Sequence, residues 1–132
     1  MNDSPPQPNP PDSAFKSRGG LRRVWNAMSY SWAGLRAAVR HEAAFRQELA
    51  LGVPMLLLVP FIAPGRWQAL LMVASVMAVL VVELLNSAVE ALADALTVER
   101  HPLLGRAKDL GSAAVMLSLV SAALVWVVVL WP

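Results

Sequence analysis

Residues 110–131 form an unbroken run of 22 residues without a charge. A run of that length matches the hydrocarbon thickness of a bilayer when helical. In lipid every backbone N–H and C=O must be satisfied within the segment, which favours a helix. Two further apolar runs precede it, residues 49–64 and 67–82, each 16 residues long. Both fall just short of a span. Residues 42–48 read as helical and extend the first. The second continues as a helix through Glu83, Asn86, Glu90 and Asp94 towards Leu96. The expected spans are therefore about 47–64, 67–96 and 109–131.

Composition agrees. The 132 residues are 57% hydrophobic and only 15% charged, whereas soluble domains are near half apolar and a quarter charged. This excludes an ordinary water-soluble core and a disordered chain. There is no cysteine, hence no disulfide framework, thiol nucleophile or Cys-based zinc site. Three spans are too few to enclose a large polar site, so self-association is expected. The fold class is all-α and integral to a membrane.

Ahead of the spans lie two different segments. Residues 1–20 include Pro5, Pro6, Pro8, Pro10 and Pro11 and read as a disordered tail rather than a signal peptide. Over about 21–40, Leu21, Trp25, Met28, Trp32, Leu35 and Val39 recur at alternating steps of four and three, which places them on one helical face. Arg22, Arg23, Arg36 and Arg40 lie off it. A basic amphipathic helix with Trp on its apolar side fits the membrane interface. Seven of the eleven Lys and Arg precede position 50. Anionic lipid explains that asymmetry more simply than nucleic acid does. The positive-inside rule puts the amino terminus and the 97–109 segment, read as a polar loop, in the cytoplasm. Three spans then place the carboxyl terminus outside.

Three polar clusters stand out. On the second span, with Glu83 at 0° and 100° per residue, Asn86 falls at about 300°, Glu90 at about 340° and Asp94 at about 20°. A stripe of ionisable groups at membrane depth costs free energy unless it is paired, protonated or bound to a cation, and such residues commonly mark function. The Glu42–Glu48 cluster precedes the first span. Carboxylates from two helices make a hard oxygen site for Mg²⁺, completed by phosphate and water. The third cluster, Gly105-Arg-Ala-Lys-Asp109, suits phosphate through Lys108, or equally a helix cap and interfacial anchors. No Walker loop and no protein-kinase motif set is present. These features leave open a lipid-modifying enzyme, a small cation or proton transporter, and a structural subunit. Gly111, Ala114, Ser118 and Ala122 add a small-residue stripe on the last span, suited to close helix contact.

At the same clusters the sequence resembles the prokaryotic diacylglycerol kinase family. The matching stretches are Tyr30-Ser-Trp-Ala-Gly-Leu-Arg-Ala-Ala38, Glu42-Ala-Ala-Phe-Arg-Gln-Glu48, Val82-Glu-Leu-Leu-Asn-Ser-Ala-Val-Glu90 and Gly105-Arg-Ala-Lys-Asp-Leu-Gly-Ser-Ala-Ala114. The likeness runs from about residue 22 to the end. It implies a homotrimer of three-span subunits with a surface helix, in the bacterial inner membrane. The implied activity is ATP-dependent, Mg²⁺-dependent phosphorylation of diacylglycerol to phosphatidic acid. An undecaprenol kinase of the same superfamily is the nearest enzyme alternative.

By the resemblance, Glu83 matches the catalytic base, Glu42 and Glu90 the metal ligands, and Asn86 a residue that organises the site. Arg23, Tyr30, Glu99, His101, Lys108 and Asp109 match nucleotide-contacting positions, as do Glu42 and Glu90. Trp32, Arg36, Arg46, Glu48 and Ser112 match positions on the lipid-substrate side, with Glu83. Pro102 and Leu104 depart from the family's more polar loop.

Overall fold

A computed structural model describes residues 20–96 and 101–131. Four helices account for the regular structure: α1 (Gly20–His41), α2 (Ala43–Ile62), α3 (Arg66–Leu96) and α4 (Pro102–Leu130). Among the described residues there is no strand. The expected Pro-rich tail, apart from Gly20, lies outside the described residues, and so does Glu99.

The chain divides between Leu35 and Arg36 into two compact units. In the first, residues 20–35 are wholly helical. Ser29 Oγ donates to Asn26 O at 2.8 Å and Ser31 Oγ to Ala27 O at 3.0 Å. Both hydroxyls are thus satisfied on their own helix, as serines within helices commonly are. Leu21, Trp25, Met28 and Trp32 are exposed.

The second unit holds the end of α1 and the three long helices. Between α1 and α2, Glu42 alone is extended, with φ −98° and ψ 112°. Its N–H still donates to Ala38 O at 2.9 Å, and its carbonyl accepts from Arg46 N–H at 3.3 Å. The break exposes carbonyls at the end of α1 that lack helical partners. Arg46 Nη1 reaches back to two of them, Val39 O at 3.3 Å and Arg40 O at 3.4 Å.

Pro54 and Pro60 lie inside α2 and do not end it. Each removes one ladder N–H, a loss that membrane-spanning helices accommodate. The helix stops at Ala63, extended at φ −70° and ψ 127°, because the residue before a proline disfavours the helical region. Pro64 and Gly65 make the turn into α3, where Ala69 N–H caps Gly65 O at 2.9 Å.

Helix α3 is the central element and packs against both α2 and α4. Its buried positions are Met72, Val76, Val79, Glu83, Asn86, Ser87 and Ala93. The stripe is apolar in its first half and polar in its second. At 1.5 Å per residue the 31 residues extend about 46 Å, well beyond a hydrocarbon core of about 30 Å. Glu83 stands about 25 Å along the helix from Arg66, so the polar half of the stripe falls at the far edge of that core.

The 97–109 segment is not a loop throughout. Helix α4 begins at Pro102, two turns before the expected start at 109. His101 is extended at φ −108° and ψ 124°, and Pro102 occupies the first helical turn. Proline is favoured there because its ring presets φ and its missing N–H would be an orphan anyway. Gly105, Arg106, Lys108 and Asp109 are therefore helical residues that extend α4 past its apolar part. Helices α2, α3 and α4 are each long and apolar enough to cross a membrane. No residue of α4 is buried within the single chain.

Candidate active site

Glu83 is 3% exposed, and Asn86 and Ser87 are each 9% exposed. They sit on the α3 stripe where it passes between α2 and α4. A charged residue is rarely so enclosed without a partner or a role. One turn on, Asn86 Nδ2 donates to Glu90 Oε1 at 3.2 Å. This i to i+4 bond is local to α3 and fixes the half-buried Glu90 carboxylate. Asn86 Oδ1 is buried and has no hydrogen-bond partner.

Carboxylates from neighbouring elements gather around this point. Glu42, at the α1–α2 break, and Glu90 both lie within electrostatic reach of Glu83. Glu83 is in turn within reach of Glu48 on α2. The structure thus draws Glu42, Glu48, Glu83 and Glu90 into one acidic neighbourhood. Glu48 Oε2 is also buried without a partner. Glu48 lines an apolar pocket of about 230 Å³ with Gly52, Met55, Val76, Leu119 and Ala122 among its walls. It is the one carboxylate in that wall.

Among the described residues, no group of three or more His, Asp or Glu side chains is gathered tightly enough to hold a metal ion. Mg²⁺ binds commonly through one or two carboxylates, with water and substrate phosphate completing its shell. Glu42 and Glu90, with Glu90 steadied by Asn86, fit that pattern.

Lys108 Nζ donates to Asp94 Oδ1 at 3.0 Å, joining α4 to α3 within electrostatic reach of Glu90. Asp109 and Ser112 are exposed on α4, and His101 is exposed at its cap. Arg36 and Arg46 are exposed, Arg46 being engaged with the α1 carbonyls. Arg23, Tyr30 and Trp32 are exposed along α1. Sequence reasoning missed one feature: Gly111, noted as part of a small-residue stripe and of the Gly105–Ala114 stretch but without a partner, abuts Asn86. Its one signal was a glycine a turn after Lys108, which does not reveal the residue it faces.

A family model described as prokaryotic diacylglycerol kinase matches residues 29–130. The chain belongs to that family. The prokaryotic diacylglycerol kinase match spans α1 from Ser29 and the whole of α2, α3 and α4, with all three polar clusters. Similar proteins carry the same description. Diacylglycerol kinase of Escherichia coli K12 is 47% identical over 115 residues, covering 85% of this chain and 92% of that protein. The Pseudomonas aeruginosa diacylglycerol kinase is 45% identical over 118 residues, 89% of this chain and 96% of its own. For the Haemophilus influenzae diacylglycerol kinase the figures are 43% over 107 residues, 81% and 91%.

Proposed function

We propose that the protein is a membrane lipid kinase that transfers the γ-phosphoryl group of ATP to the hydroxyl of diacylglycerol, giving phosphatidic acid and ADP. The observation that carries this reading is the enclosed Glu83 on a helix long enough to cross a bilayer. It stands at the level where a lipid headgroup meets water, with Asn86 and Glu90 following it on the same stripe. Family membership supplies the substrate class.

The chemistry asks more for positioning and charge neutralisation than for covalent steps. The lipid hydroxyl oxygen bonds to the γ-phosphorus as the bond to the β,γ-bridging oxygen breaks and ADP leaves. Glu83 accepts the hydroxyl proton, a contribution worth about 10²–10⁴-fold for a well-placed base and less where proton removal is late. Mg²⁺ held by Glu42 and Glu90 would neutralise charge on the phosphate oxygens. Lys108 offers further ammonium protons to phosphate beyond the one it gives Asp94. Tyr30, Arg23, His101, Glu99 and Asp109 contribute to the nucleotide side. On the lipid side, the apolar pocket beside Glu48 suits a hydrocarbon-bearing acceptor, and Trp32, Arg36, Arg46 and Ser112 are assigned to lipid contacts by the family resemblance alone.

The same reading includes α1 lying in the cytoplasmic interface of the bacterial inner membrane, the carboxyl terminus outside, and a homotrimer. The apolar exterior of α4, none of it buried within one chain, supports contact with lipid and with other copies. The test is Mg²⁺-dependent transfer of labelled γ-phosphate to diacylglycerol by the purified protein, with undecaprenol in a parallel tube. Transfer to diacylglycerol sustains the reading. Transfer confined to undecaprenol, or to neither lipid, overturns it.

A further inference from the structure

We infer that Gly111 is a positioning residue: the side chain it lacks on α4 is what allows the Asn86 carboxamide to hold Glu90 in place. This inference rests on the kinase reading above. A glycine on a small-residue stripe normally permits two helix backbones to approach. That is not its role here. A Cβ built on Gly111 would stand 3.8 Å from Asn86 Cα, an ordinary contact. The backbones of α3 and α4 would therefore accept an alanine. The same Cβ would overlap Asn86 Oδ1 and approach Asn86 Cγ to 3.3 Å. The conflict lies with the carboxamide alone.

The carboxamide has little freedom to yield in its present place. Asn86 is 9% exposed, and its Nδ2 is committed to Glu90 Oε1 at 3.2 Å. Moving Oδ1 away from α4 turns the whole planar amide, so Nδ2 leaves Glu90 with it. A methyl group on α4 is thereby transmitted to a carboxylate on α3 that it never touches. Groups that hold a functional carboxylate in this way typically alter activity or metal affinity by about 10–100-fold when disturbed.

The position of the polar turn on α3 also explains why the effect is local. Along α4, Gly105 has nothing within 4 Å of a built Cβ. At 111 a side chain meets the Asn86 carboxamide, whereas at 105 it meets nothing.

The experiment compares wild type, G111A, N86A and G111A/N86A in detergent. Four readouts are taken: thermal midpoint, kcat, KM for diacylglycerol and binding of Mn²⁺ as a Mg²⁺ probe. G111A is expected to keep its thermal midpoint and its KM for the lipid, while kcat and Mn²⁺ affinity fall by about 10–100-fold. The double variant is expected to be no worse than N86A, because Gly111 acts only through Asn86. If G111A proves unstable, removing the carboxamide in G111A/N86A should restore the midpoint. Wild-type kcat and Mn²⁺ affinity in G111A, losses that simply add to those of N86A, or an unstable G111A that N86A does not rescue, would each overturn the inference. A wild-type protein inactive on diacylglycerol would instead overturn the kinase reading. The Mn²⁺ and thermal readouts would still decide the link from Gly111 to Asn86.

Discussion

Lys108 on α4 and Asp94 on α3 are joined by a 3.0 Å hydrogen-bonded ion pair, with 40% and 70% of their side chains still exposed. Asp94 occupies one ammonium proton of three and leaves the others for an incoming anion. Exposed pairs of this kind add little to stability. K108A should therefore keep its thermal midpoint. Its KM for ATP should rise roughly tenfold, the usual scale for one charge-assisted hydrogen bond. Steady-state kinetics at varied ATP check this, and an unchanged KM would remove Lys108 from the nucleotide site.

Glu83→Gln preserves shape and removes the proton acceptor. It should lower kcat by about 10²–10⁴-fold while the protein remains folded. The change also relieves the like-charge crowding of Glu83 by Glu42, Glu90 and Glu48, each of which lies within electrostatic reach of it. The thermal midpoint should accordingly be no lower than wild type. Thermal unfolding followed by circular dichroism reads that directly.

The α2–α3 contact makes a separate prediction about stability. A Cβ on Gly52 would stand 3.0 Å from Val76 Cγ1, so alanine needs a shift of a few tenths of an ångström. Leucine does not fit. G52L should cost about 1–3 kcal/mol, the usual penalty for overpacking, and the paired change G52A/V76A should unfold close to wild type. Denaturation in mixed micelles would show the difference.

Chelation should stop phosphate transfer. Two carboxylates and a phosphate make an affinity that depends on nucleotide being present. Excess EDTA should therefore abolish turnover, and added Mg²⁺ should restore it without refolding. Activity surviving EDTA would exclude Glu42 and Glu90 as metal ligands.

Much of the architecture could be read from the chain before its structure, because a bilayer leaves few choices. The charge-free run at 110–131 can only be satisfied as a span, and the helical period alone puts Glu83, Asn86, Glu90 and Asp94 on one face. The structure finds four helices, three of them long and apolar. What misled was polarity. Arg106, Lys108 and Asp109 resembled a loop, yet a helix need not end where the membrane does, and Pro102 was a legible start signal. Pro54 and Pro60 lie inside α2 without ending it, because a spanning helix absorbs such losses. Gly111 could not be understood from sequence, since its meaning lies in which atom of α3 it faces. The pairing of Lys108 with Asp94 was hidden for the same reason.

The most direct measurement is the Mg²⁺-dependent transfer of labelled γ-phosphate from ATP to diacylglycerol, run side by side for wild type and E83Q at equal folded concentration. The account predicts labelled phosphatidic acid from wild type and almost none from E83Q. E83Q forming phosphatidic acid at the wild-type rate would contradict the assignment of the α3 carboxylate stripe to the chemistry.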